Sequence, residues 1–115
     1  MFDSQPPAPP RVRKGASERL REALIALAGG HGEVVAHREK SWASITFAGS
    51  RHTLELAFAG AEAVAAGEAF IAVLPEHEFA IPRQLVAEAN VVAVDHRLDP
   101  PHMAVTCEVL LLEEG

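Results

Sequence analysis

The chain has 115 residues, enough for one domain of ordinary size and too few for two. Hydrophobic residues make up 49%, which supplies a single genuine core, while one cysteine excludes a disulfide framework and a CxxC metal or redox motif. A formal net charge of −6 argues against a duplex-binding surface. The apolar runs fall well short of the ~20 residues that a membrane-spanning helix needs.

Composition changes sharply near residue 14. Pro6, Pro7, Pro9 and Pro10 crowd the first ten residues, where they fix φ, remove backbone donors and disfavour both helix and sheet. Residues 1–14 therefore read as a disordered, proline-rich tail, made basic by Arg11, Arg13 and Lys14 against Asp3. The stretch FDSQPPAPP offers no apolar core of a signal peptide, so a cytoplasmic protein is expected. Residues 15–115, net −8, read as one domain.

Along that body, Ser17 to Ala28 predicts a helix. Leu20, Ala23, Leu24, Leu27 and Ala28 recur at helical spacing, Ser17 suits the cap, and Gly29-Gly30 supplies a left-handed stop. Two or three strands follow: a short one at Glu33 to His37, then Trp42 to Ala48 and Arg51 to Phe58 on either side of Gly49-Ser50, which reads as a hairpin turn. In the last of these, Leu54, Leu56 and Phe58 alternate with Thr53, Glu55 and Ala57, so one face points inward.

Ala61 to Leu74 fits a helix ending at Pro75, although Gly67 at its centre costs about 1 kcal/mol relative to alanine. The competing reading is a short helix to Ala66 and then a strand from Phe70 to Leu74. The helix is favoured, and its small face of Ala63, Ala66 and Gly67 predicts close packing on a sheet. Strands are further predicted at Glu78 to Ile81, Leu85 to Arg97 and Met103 to Leu112, the last two joined by the proline-stiffened turn Leu98-Asp99-Pro100-Pro101-His102. Val91, Val92, Val94, Val105 and Val109 to Leu112 make that pair apolar on both faces. Such strands are central in a sheet or covered by a helix or another subunit. The expected fold is therefore α+β, an antiparallel sheet of about five strands with two helices in the order α-β-β-α-β-β-β. A homodimer is expected, with Val105, Val109, Leu110 and Leu112 as candidate interface residues.

Six histidines are the residues that invite a site. His77 lies between Glu76 and Glu78 in a loop, the kind of position where functional residues concentrate. His96 shares a strand face with Val94, whereas Asp95 and Arg97 alternate to the other face as an ion pair of small value. His52, after Arg51, reads as part of a cross-strand polar pair at a strand start. His31 follows the first helix, His37 stands two residues from Glu39, and His102 lies in the proline turn. None of these spacings matches HExxH or a Cys/His quartet, so neither metal nor cofactor is expected. Cys107 alternates with Val105 and Val109 and reads as a buried small hydrophobe. Trp42 and Phe47 with no tyrosine make a single-strand stacking platform a poor fit. Phosphate-binding glycine motifs and a GxSxG elbow are absent from the sequence.

The segment His77-x-Phe79-x-x-Pro82-x-x-Leu85-Val86-x-Glu88-Ala89 loosely resembles the His…Glu stretch of the hot-dog-fold hydroxyacyl dehydratases. That resemblance covers about a dozen residues and implies a histidine and a glutamate acting on a thioester-bound acyl chain. It departs from the family in lacking the proline-glycine step after the histidine, in its shorter His-to-Glu spacing, and in placing Glu88 in a predicted strand. Three readings of function follow. The favoured one is a non-catalytic binding or assembly module that self-associates, without nucleic acid or membrane. The others are a small acyl-thioester or hydrolytic enzyme using His77 with Glu88, Asp95 or His96, and a carrier of small apolar ligands.

Overall fold

The computed structural model describes residues 15–114, so the proline-rich tail expected at residues 1–14 lies outside the described residues. Six main elements follow in chain order: α1 (Ala16–Leu27), β1 (Glu33–Ala43), β2 (Ala48–Ala59), α2 (Ala61–Val73), β3 (Gln84–Leu98) and β4 (Pro101–Glu113), with a 3-10 turn at Leu74–Glu76 after α2. The strands form one fully antiparallel sheet in the order β1-β2-β4-β3. The architecture is thus α+β with two helices, as expected, but with four strands in the order α-β-β-α-β-β.

The missing strand is Glu78 to Ile81. Pro82 has no N–H to give to a ladder, and Arg83 takes a φ of 63° that turns the chain at once. Ile81 forms only an isolated bridge with Gln84, although it is buried.

The first hairpin also differs from the expectation. β1 runs unbroken through Trp42, and the chain reverses at Ser44–Phe47, closed by Ser44 N–H to Phe47 O at 2.8 Å and Phe47 N–H to Ser44 Oγ at 3.1 Å. Gly49 and Ser50 lie inside β2, where Gly49 pairs with Trp42 and Leu112. Its lack of a side chain serves a close approach of backbones. A Cβ there would sit 1.9 Å from the carbonyl oxygen of Leu111. The second hairpin follows the predicted turn, with a cis Asp99–Pro100 peptide between Leu98 and its partner Pro101.

Alternation along the central strands sets the two faces of the sheet. Leu54, Leu56 and Phe58 of β2 pair with Cys107, Val105 and Met103 of β4, and all six are buried on one face. Both helices cover that face. Leu20 and Leu24 of α1 and Val64, Phe70 and Leu74 of the α2 segment join the same core.

Residues 67–74 are helical, as favoured, and the small-residue face does bring α2 close to the sheet. A Cβ at Gly67 would stand 3.0 Å from the Phe58 ring and 3.2 Å from the Met103 sulfur. Gly29 and Gly30 end α1 with φ of 69° and 82°, as the stop signal implied. Ser17, by contrast, is inside α1 and caps nothing; its hydroxyl reaches Glu39 instead.

The doubly apolar C-terminal strands divide. β4 is central, which satisfies its pattern. β3 is an edge strand and leaves Leu85, Val92 and Val94 about half exposed and Leu98 more so.

Candidate functional site

The core face of β2 continues one step beyond Leu54 to His52, which is fully buried. Its ring lies between β1 and the start of β2 in a chain of three hydrogen bonds. Arg21 Nη1 is 2.8 Å from His37 Nδ1, His37 Nε2 is 2.8 Å from His52 Nδ1, and His52 Nε2 is 2.7 Å from Ser50 Oγ. The two imidazoles meet at 50° with centroids 5.1 Å apart. Arg21 comes from the face of α1 that looks at β1, four positions before Ile25, so the chain ties helix to sheet.

One proton arrangement satisfies all three bonds. A guanidinium only donates, so His37 Nδ1 accepts and its proton stands on Nε2. That proton is donated to His52 Nδ1, which places the second ring's proton on Nε2 and donates it to Ser50 Oγ. Both rings are neutral in this pattern. Burial pushes both histidines below their ordinary value, and for His37 the neighbouring His52 and Arg21 add to the effect. Glu39, whose Cα pairs with His52, pulls the other way for both rings. Glu39 is itself held by the Ser17 hydroxyl at 2.5 Å.

The arrangement superficially has the parts of a serine–histidine pair, yet its direction is reversed. His52 presents a protonated nitrogen to Ser50 and so has no lone pair there to take the serine proton. What the cluster does is tie α1 to β1 and β2 through part-buried polar contacts, with His52 fully buried and hydrogen-bonded at both ring nitrogens. The sequence reads His52 as part of a cross-strand polar pair and gives His37 no partner beyond nearby Glu39; it does not bring the two together. The available signal was the alternation itself: His52, Leu54, Leu56 and Phe58 share one face.

The enzyme candidates lie in the loop after α2 and along β3. His77 is exposed in the loop after α2, its ring edge-on to Phe79 with centroids 4.5 Å apart. Glu88 pairs with Leu110 and His96 with Met103, which puts the two on opposite faces of β3. Asp95 and Arg97 form the same-face ion pair, 3.9 Å apart and well exposed. Glu88 instead stands 3.8 Å from Arg51. Among the described residues no group of three or more His, Cys, Asp and Glu side chains could hold a metal.

Of the interface candidates, Val105 and Val109 lie in the core beneath the helices, and Leu110 and Leu112 on the opposite face are also buried. Cys107 is buried beside them, and burial pushes its thiol up to about 11. An apolar groove of about 560 Å³, open to solvent, runs between α1 and β1 and is lined by Ile25, Ala26, Gly30 and Val34 with Arg21 and Glu22. No helix among the described residues is long and apolar enough to cross a membrane.

Comparison with known proteins separates fold from family. No family model matches the sequence, and no curated protein matches it. Among solved structures, a chain of the "Virion of native gene transfer agent (GTA) particle" superposes with a TM-score of 0.51, covering 87% of this chain and 92% of that one. Identity over the match is 16%, so the likeness is one of fold.

Proposed function

We propose that this chain is a non-catalytic structural module that works by assembling with other protein chains, in a particle of the virion type. The supporting observation is the superposition on a chain of a gene transfer agent virion, which covers 87% of this chain and 92% of that one. The candidate chemistry agrees with it. The polar cluster is part-buried, with His52 fully buried and bonded at both ring nitrogens, and Glu88 and His96 stand on opposite sides of a strand.

The test is to sediment particles from cells that make the protein and quantify the chain in them by mass spectrometry. A fixed copy number relative to the major particle protein is the expected result. Recovery of the chain only in the soluble fraction, with none in particles, would overturn the reading.

A further inference from the structure

Of the two sheet edges, β1 carries four Lys, Arg, Asp or Glu residues in eleven positions, a common way to deter strand addition. β3 carries three in fifteen and exposes Val92, Val94 and Leu98. Its backbone register holds a second feature. Val91 pairs with Cys107 and Ala93 with Thr106, so Val92 is an extra, bulged residue.

The bulge reverses the alternation halfway along the strand. Before it, Glu88 and Asn90 stand on the face away from the helices, with Ala89 and Val91 on the helix face. After it, Asp95 and Arg97 stand on the outer face, with Val94 and His96 on the helix face. The order of faces from 88 to 97 is therefore the same read in either direction. In an unbulged strand, residues 88 and 97 would point to opposite sides.

We propose that two copies of this chain pair through their β3 edges, antiparallel, about a two-fold axis at Val92 and Ala93. This rests on the assembly reading above and names its contact. In that register Glu88 of one copy lies opposite Arg97 of the other, Asn90 opposite Asp95, Val91 opposite Val94 and Ala89 opposite His96. Each pair sits on a common face, and symmetry makes each pair twice. The product is an eight-stranded antiparallel sheet with all four helices on one side. Glu88 and Arg97 are free to make this contact, since their present partners, Arg51 at 3.8 Å and Asp95 at 3.9 Å, are loose and solvent-exposed.

The test uses sedimentation equilibrium on the full chain and two charge reversals at exposed positions, Glu88→Arg and Arg97→Glu. Each alone sets like charges opposite one another twice, and weakens self-association roughly tenfold. Mixing the two variants restores association close to the unmodified level, because the mixed pair has arginines 88 and 97 facing glutamates 97 and 88. Within one chain those positions lie nine residues, about 30 Å, apart, so no internal contact can produce the rescue. Far-UV circular dichroism confirms that each variant is folded. If the unmodified chain associates but the reversals have no effect, or mixing brings no recovery, the β3 contact is wrong and the assembly reading stands on another surface, such as the β1 edge or a different protein. If the unmodified chain stays monomeric at every concentration, the β3 contact and self-association both fall, and particle content alone decides the assembly reading.

Discussion

His37 donates its Nε2 proton to His52 Nδ1 across 2.8 Å, and Arg21 at the other end of the chain sets the direction of that bond. Because Arg21 belongs to α1 and the histidines to neighbouring strands, the helix and the sheet share one proton pattern. Protonating either ring would leave two donors facing each other beside a guanidinium.

Acid should therefore loosen the fold. Both histidines are held below 6.5 in the folded chain and return to it on unfolding. Their contribution to stability is fully present above pH ~6.5 and is lost as pH falls through that value, because the unfolded chain then binds protons that the folded chain refuses. Urea unfolding at a series of pH values down to about 5 should show this decline. In His37→Gln, which offers the same acceptor and donor without titrating, the decline should be shallower; an unchanged slope would contradict the assignment.

Truncating the fully buried ring should be costly at any pH. His52→Ala leaves the His37 N–H and the Ser50 hydroxyl without their partner and opens a cavity beside Leu54, for an expected loss of about 2–4 kcal/mol. Ser50→Ala removes only the terminal acceptor and should cost about 1–2 kcal/mol. Chemical denaturation of both variants gives the comparison.

Gly49→Ala should be the most damaging methyl group in the sheet. Its Cβ would fall 1.9 Å from the Leu111 carbonyl oxygen, so the central strands β2 and β4 must part to admit it. A loss of about 3 kcal/mol is expected, with weakened hydrogen-exchange protection around Leu110 to Leu112. Gly67→Val should cost about 2 kcal/mol by pressing α2 away from Phe58 and Met103.

Cys107 should resist thiol reagents in the folded protein. It is buried on the central strand between Leu54 of β2 and Val91 of β3, and burial holds the thiol at about 11, leaving almost no thiolate at neutral pH. Labelling with an aromatic disulfide reagent should proceed only at the rate of unfolding and become rapid in urea.

The sequence by itself determined the elements whose local signals agree. α1 has an apolar stripe and a double-glycine stop, α2 has helical spacing up to Pro75, and the β3–β4 hairpin has two long apolar runs around a proline turn. Gly67 marked the tight seat of α2 because a residue without a side chain in a helix makes sense only where something else fills the space. Tertiary structure decided the rest wherever one local signal had two outcomes. Gly49-Ser50 reads as a turn, yet the glycine is needed for a backbone approach from β4, a strand more than fifty residues away. Glu78 to Ile81 reads as a strand, but no sheet edge receives it once Pro82 and Arg83 have turned the chain. Val105 and Val109 read as interface candidates, yet the strand order β1-β2-β4-β3 places β4 inside and β3 at the edge, and both valines are buried in the core. His37 and His52 are fifteen residues apart and carry no motif. They meet because β1 pairs with β2 and because α1 brings Arg21 down onto them, a coincidence of three elements that no local pattern encodes.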